Sequence, residues 1–364
     1  MNRLQVGIIG AGVISGRYIQ NLKSVPFIEK LFIADQDASR AKNKGTEFDI
    51  PSVAVQTLLD DPCVDLIVNL TPPKAHADVS RMIIEAGKHV YSEKPLAVTR
   101  DAGEDILTRA ETHRVRVGCA PDTFLGGGLQ TCRKLIDDGW VGTATAGVAF
   151  MMGHGHESWH PDPAFFYEEG GGPLFDMGPY YLTALVALLG PIRRVSGAAR
   201  ASFAERIITS APRRGEIITV KTPTHVAATV EFVQGPIVTL VTSFDVWPTS
   251  LPSIEIYGSE GTLSVPDPND FGGPVRIRRG RESEWHDMPI LYGFTDDCRG
   301  LGVADMAYGI MHNLPHRAHG QLAYHVLEAM DGILQAASSG RHYDMKSRIT
   351  RPDPLEPSGW GLRD

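Results

Sequence analysis

Little in this chain points to covalent or metal staples. Its 364 residues include four cysteines, Cys63, Cys119, Cys132 and Cys298, scattered with no Cys-x-x-Cys pair. That argues against a disulfide framework and against a structural zinc site. No apolar run approaches the ~20 residues needed to span a bilayer. The N-terminus runs from Met1 straight into a strand, without signal-peptide architecture. A soluble, reduced, cytoplasmic protein is the expectation. No Lys/Arg block stands out against a formal net charge of −8, so neither nucleic acid nor an anionic membrane is expected as partner. Internal repeats and low-complexity tracts are also missing.

What is present is an ordinary globular composition, 42% hydrophobic and 21% charged. Single cores stop growing near ~250–300 residues, so two domains are expected. The first third alternates short apolar runs with amphipathic segments. Strands are expected at 4–9, 30–34, 65–70, 89–92 and 116–119. Helices are expected at 13–22, 38–48, 75–86 and 99–112. Alternation at this spacing means a parallel sheet with right-handed crossovers. Near Pro121 the texture changes. A helix at 129–137 leads into β-rich segments at 143–152, 194–203, 225–232, 237–244, 253–257 and 262–265. Turn signals such as Gln234-Gly235-Pro236 join several of them into an antiparallel meander. One helix (174–189) interrupts the meander, and two more (303–313 and 318–337) close the chain. The fold class is therefore α/β: a doubly wound parallel-sheet (Rossmann) domain over 1–122, then an α+β domain with a large, mainly antiparallel open sheet over 123–364. An open sheet with helices on one face leaves the other to be covered, so a homodimer or homotetramer through the C-terminal sheet is expected.

Gly10-Ala11-Gly12-Val13-Ile14-Ser15 lies between the first strand and the first helix. Gly10 permits a tight turn. Gly12 lets backbone approach a pyrophosphate at the helix N-terminus, flanked by Val13 and Ile14. A lone Gly-x-Gly is equally the mark of any tight βα turn. Here it is answered by Asp35 after the second strand, 23 residues beyond Gly12. A carboxylate there accepts hydrogen bonds from a ribose diol and repels a 2′-phosphate, which favours NAD over NADP. The structural alternative is helix capping by Asp35 or Asp37. Arg40, one turn into that helix, could tolerate a phosphate, so NADP stays open.

Further motifs carry a resemblance. Asn69-Leu70-Thr71-Pro72-Pro73-Lys74-Ala75-His76, then Ala86-Gly87-Lys88-His89-Val90, then Glu93-Lys94-Pro95-Leu96 resemble the Gfo/Idh/MocA family of glucose-fructose oxidoreductases and inositol dehydrogenases. Gly170-Gly171-Gly172-Pro173-Leu174-Phe175-Asp176-Met177-Gly178-Pro179-Tyr180 resembles its second signature. With the glycine loop, the similarity covers the first 190 residues. The resemblance implies a nicotinamide-dependent oxidoreductase whose sugar or polyol substrate lies between the two domains. It assigns Lys94 to the reacting hydroxyl and to proton transfer, Glu93 to the nicotinamide ribose, and Thr71, Pro72 and Pro73 to the turn passing the dinucleotide. It assigns Asp176 to substrate binding and catalysis. His76 is expected on the cofactor side, or as a satisfied capping residue. Pro95 often follows a cis bond in this family. Where many members carry histidine four residues after the aspartate, this chain has Tyr180. On one helix Asp176 and Tyr180 would share a face. Tyr180 then either relays a proton or is a core aromatic.

The segment Gly153-His154-Gly155-His156-Glu157-Ser158-Trp159-His160 precedes that signature. The two-residue spacing of His154 and His156 suits a metal, but no second ligand cluster accompanies it, so no metal is expected. Trp159 suits stacking on a sugar face, with His160 bonding hydroxyls. Phe165, Phe166 and Tyr167 read as packing. Three functions compete: a dehydrogenase or reductase for sugars, sugar derivatives or cyclic polyols; a glycoside hydrolase working by transient oxidation with held NAD; and a non-catalytic NAD-binding sensor. The dehydrogenase or reductase leads, and the retained Lys94 and Asp176 argue against the sensor.

Overall fold

Buried apolar runs make the strands of the first third, and the turns between them set their order. The structure, a computed structural model, describes residues 3–356. Strands β1 (Leu4–Ile9), β2 (Ile28–Ala34), β3 (Val64–Asn69), β4 (His89–Ser92) and β5 (Val117–Cys119) form a sheet in the order β2-β1-β3-β4-β5. Every pair in it is parallel. Helices α1 (Ser15–Leu22), α2 (Ala38–Phe48), α3 (Val55–Asp60), α4 (His76–Glu85) and α5 (Arg100–His113) fill the crossovers. Leu66, Ile67 and Val68 are fully buried in succession, as a strand covered on both faces requires. The chain leaves β1 for β2 on one side and returns to β3 on the other. The switch point therefore lies between β1 and β3, where such sheets bind ligands.

The second sheet is larger. After α6 (Gly127–Asp137) come β6 (Ala144–Met152), α7 (Gly172–Asp176) and α8 (Gly178–Leu189). The strands β7 (Ile192–Arg200), β8 (Glu205–Ile207), β9 (Ile217–Thr219), β10 (His225–Phe232), β11 (Ile237–Ser243), β12 (Ile254–Gly258), β13 (Gly261–Val265), β14 (Val275–Arg279) and β15 (His286–Met288) follow. Next come α9 (Leu301–His312), α10 (Gly320–Ser339) and β16 (Tyr343–Asp344). Nine strands pair in the order β15-β14-β13-β12-β6-β11-β10-β7-β16, and β8 and β9 form a separate ribbon. All neighbours in the large sheet are antiparallel except β6 and β11, which run parallel with Ser243 opposite Met152. No hairpin joins those two strands, so nothing local forces them to alternate. Strands β14 and β15 have no counterpart among the strands expected from the sequence.

The single helix expected over 174–189 is two helices. Pro179 has no N–H to donate one turn back, and its ring crowds that carbonyl. Met177 takes φ −109° between α7 and α8, and Tyr180 N–H bonds Met177 O at 3.0 Å instead. Every residue of α8 is buried, as befits a helix apolar all round.

By contacts the chain forms two units. One draws on Met1–Gly126, Tyr292–Leu327 and Pro352–Asp364, the other on Gly127–Leu291 and Glu328–Arg351. A division after residue 122 does not capture the return of Tyr292–Leu327 to the parallel-sheet unit. There His319 bridges Gly118, and Cys119 N–H donates to Ala318 O at 3.0 Å, covering the open edge of β5.

Candidate active site

In the parallel-sheet unit the loops after the strands are laced by backbone bonds that continue the ladder. Gly10 N–H donates to Ala34 O, Leu70 N–H to Ile9 O, Glu93 N–H to Asn69 O and Ala120 N–H to Ser92 O, at 2.8–2.9 Å. One carboxyl edge therefore carries Asp35, the Gly10–Gly12 loop, Thr71 and the Glu93–Lys94–Pro95 turn.

Gly10 has φ +111°, and a Cβ there would lie 2.6 Å from both the carbonyl carbon and oxygen of Leu70. Only glycine fits where the first loop meets the loop after β3. Gly12 is different: a Cβ there would meet nothing within 4 Å. Protein packing does not require glycine at that point, whereas close approach of a dinucleotide backbone does. Val13 is 99% exposed beside it, Ile14 is the N-cap of α1, and Ser15 Oγ donates to Gly12 O at 2.7 Å. Asp35 has two tasks within the protein. Its Oδ2 accepts from Ala11 N–H at 2.7 Å and its Oδ1 from Asp37 N–H at 2.9 Å, so one carboxylate holds the glycine loop to the end of β2. Asp37 caps α2 through Ser39 and Arg40 N–H, as the capping reading expects. Arg40 is exposed and lies 3.5 Å from Asp37. These residues fit a dinucleotide.

The lysine turn is held from beneath. Glu93 Oε1 accepts from the Tyr18 hydroxyl at 2.8 Å, and Oε2 accepts from Lys94 N–H at 2.9 Å. Burial, and then the Glu93 carboxylate, push the Tyr18 phenol well up, so it stays a donor. The Lys94–Pro95 bond is cis. His76 is buried, with Nδ1 2.7 Å from Pro95 O and Nε2 2.7 Å from Thr71 O. Its ring nitrogens tie the lysine turn to the Thr71 turn rather than facing outward to a cofactor, and burial lowers its pKa. Pro72 and Pro73 are exposed beside it. The fully buried Asn69 completes the joint. Its amide donates to His76 O and Ser80 Oγ at 3.0 and 3.1 Å, and its Oδ1 accepts from Thr71 Oγ1 at 2.6 Å. An amide closing an apolar strand is a signal that sequence reading passed over.

Asp122 was also missed. Its Oδ2 accepts from Gly300 and Gly302 N–H at 2.8 and 2.9 Å, capping the start of α9. Burial pushes its carboxyl up to about 6 from an ordinary 3.8, against the pull of those two N–H groups, with Glu93 adding to the rise. Between those values the folded protein keeps a proton that the unfolded chain has lost. Stability therefore falls as pH rises from about 4 through about 6. Asp122→Asn keeps an acceptor oxygen and never ionises. Urea unfolding across that range should show the variant gaining on wild type by up to about 3 kcal/mol and then levelling. A gap that does not change with pH would contradict the ionisation.

In the second unit, Asp176 ends α7 with its side chain 16% exposed, and Oδ2 lies 3.4 Å from His156 Nε2. His156 stacks on Phe166 at 3.7 Å between ring centres and meets Phe244 edge-on at 4.7 Å. Tyr180 falls in α8 and is buried. Asp176 closes α7 and Tyr180 lies in the first turn of α8, with Met177 between the two helices. Trp159 is 64% exposed, 5.2 Å from the His156 ring and 5.4 Å from that of His160. His160 Nδ1 accepts from Asp162 N–H at 3.0 Å. Tyr167 packs in a core with Ile208, Ile218 and Phe244. Beneath the loop lies Arg206, 7% exposed, which bonds Glu157, Asp245 (2.9 Å) and the carbonyls of His154 (2.7 Å) and Phe244 (3.1 Å). In the parallel-sheet unit, His316 and Arg317 are bound into the fold. His316 Nε2 meets Val117 O at 3.2 Å, and Arg317 pairs with the buried Asp305.

The fold and these motifs have counterparts. An uncharacterised protein of Saccharomyces cerevisiae is 25% identical over 372 residues, covering 94% of this chain and 98% of its own. A scyllo-inositol 2-dehydrogenase (NADP(+)) of Bacillus subtilis is 21% identical, covering 82% of this chain and 80% of its own. The structure of levoglucosan dehydrogenase in complex with NADH superposes with a TM-score of 0.81 at 17% identity, over 95% of this chain and 100% of that one. Residues 4–120 match the profile of the oxidoreductase family with an NAD-binding Rossmann fold, and residues 129–264 that of the GFO/IDH/MocA C-terminal domain. The chain therefore belongs to the Gfo/Idh/MocA family of NAD-binding oxidoreductases.

Proposed function

We propose that this protein is an NAD-dependent dehydrogenase or reductase for a sugar, sugar derivative or cyclic polyol, with Lys94 as its proton-transfer group. The observation that carries this reading is the position of Lys94. It leaves β4 on the edge that bears the Gly10–Gly12 loop and Asp35, its turn held by Glu93, Tyr18 and His76. Bound NAD supplies a hydride acceptor at nicotinamide C4. Oxidation of a secondary alcohol releases that hydride from carbon and a proton from oxygen. The neutral amine of Lys94 takes the proton, and in the reverse direction its ammonium returns it. Glu93, fixed by two hydrogen bonds, faces the nicotinamide ribose, and Thr71, Pro72 and Pro73 form the wall along the dinucleotide. In the second unit Asp176 accepts a substrate hydroxyl, Trp159 stacks on the ring, and His160 and Tyr180 add polar contacts. The names of the relatives, an inositol dehydrogenase and a levoglucosan dehydrogenase, support a cyclic polyol or sugar.

A panel of sugars, polyols and keto-sugars, followed by NAD(H) absorbance, tests the reading. No change with any member, alongside glycoside cleavage without net coenzyme use, would replace it with the hydrolase reading. Asp35→Ala removes both the ribose acceptor and the anchor of the glycine loop. Its KM for NAD should rise by about tenfold or more, and the preference for NAD over NADP should fall. An unchanged coenzyme ratio would remove Asp35 from ribose recognition.

A further inference from the structure

Strands β6 and β11 run parallel and end level, so the chains leaving them emerge side by side. Gly153 N–H donates to Ser243 O, and Val246 N–H to Gly153 O, both at 3.0 Å. One exit carries His154 and His156, the other Asp245 and Trp247. The Arg206 guanidinium clamps both, through Glu157 and the His154 carbonyl on one side and Asp245 and the Phe244 carbonyl on the other. On this clamp the Trp247 indole stacks flat on the His154 imidazole, 3.5 Å between ring centres and 13° apart. Trp247 is nevertheless 69% exposed. One face of the indole is backed and the remainder is open. His154 Nδ1 is buried behind it with no hydrogen-bond partner among the described residues. An imidazole placed there contributes a flat support, and no polar contact explains it.

His154 and His156 flank Gly155, whose φ is +84° and whose absent Cβ would strike the Tyr167 hydroxyl and Glu157. Their Cα atoms are at most about 7 Å apart. The His156–Asp176 pair and the His154–Trp247 stack therefore hang from the same pinned turn. An exposed aromatic face backed by His154, on the same turn whose His156 meets the carboxylate of Asp176, suits the apolar C–H face of a second sugar ring. We propose that Trp247, supported by His154, is an outer sugar-binding platform, and that the substrate class includes glycosides of two or more rings. This rests on the reading of Asp176 as the group that meets the reacting ring.

The test compares D-glucose and myo-inositol with the disaccharides cellobiose and maltose. Binding is measured by calorimetry on the NADH-loaded full chain, in wild type and in the Lys94→Ala background, and KM is measured where turnover occurs. Wild type should bind at least one disaccharide about tenfold more tightly than its single-ring counterpart. Trp247→Ala should reduce that ratio to near one, and Trp247→Phe should retain part of it. Calorimetry in the Lys94→Ala background separates this outcome from any failure of the proton-transfer assignment. A wild type with no disaccharide preference overturns the platform, as does a Trp247→Ala variant that weakens all ligands equally.

Discussion

Lys94→Ala should lower kcat by about 10²–10⁴-fold, with NADH affinity, followed by fluorescence titration, staying close to wild type. The separation is expected because the parts proposed to hold the dinucleotide do not depend on the lysine side chain. Gly10 is required by its φ and by Leu70, and Asp35 is bonded to Ala11 N–H. Glu93 is fixed through Tyr18 and through the backbone N–H of residue 94, which alanine keeps. Lys94→Arg is the sharper variant. It preserves positive charge and length, but a guanidinium does not give up its proton near neutral pH. It should therefore lose turnover about as severely as alanine. If arginine restores most of the rate, Lys94 acts as a fixed charge and the proton goes elsewhere.

Arg206→Met should give the largest loss of stability among single changes outside the coenzyme unit. The guanidinium faces Glu157 and Asp245, whose side chains are 8% and 6% exposed. Burial works against its charge, but the bond to Glu157 and the nearby Tyr167, Glu157 and Asp245 outweigh it and hold its pKa above the ordinary value. Removing the cation leaves two buried carboxylates without a counter-charge, a change that costs about 3–5 kcal/mol. Urea unfolding followed by tryptophan fluorescence reads it, since Trp159 and Trp247 both lie on segments that Arg206 pins. Adding Glu157→Gln and Asp245→Asn should recover much of the loss, because the cost comes from uncompensated charge. A fall of under about 1 kcal/mol in the single variant would show the network to be only a surface-strength contact.

The coenzyme half was legible because its evidence is local. A glycine pair after an apolar strand, an acid after the next strand and a lysine before proline each carry their meaning within a few residues. Apart from the short α3, which was not expected, the elements between them follow from periodicity, and predicted and observed bounds agree to within two residues. Arg206, Asn69, Asp122 and Trp247 were not legible. Each gains its role at least in part from partners 7 to 180 positions away, and no local pattern marks such a meeting. The single helix expected over 174–189 was misjudged for a different reason: a helical period was carried across Gly178–Pro179, where the missing proline N–H breaks the helix.

By itself the sequence determined the parallel sheet, the NAD-type loop, the acid after the second strand and the strand-end lysine, because these rest on backbone rules that act over one or two turns of chain. Only the tertiary structure decided that Asp176 lies against His156, and that His76 braces the lysine turn from inside. It also decided that two distant tryptophans flank one clamped loop. Those outcomes depend on which strands end side by side, and a parallel neighbour such as β11 beside β6 is chosen by the packing of the whole sheet.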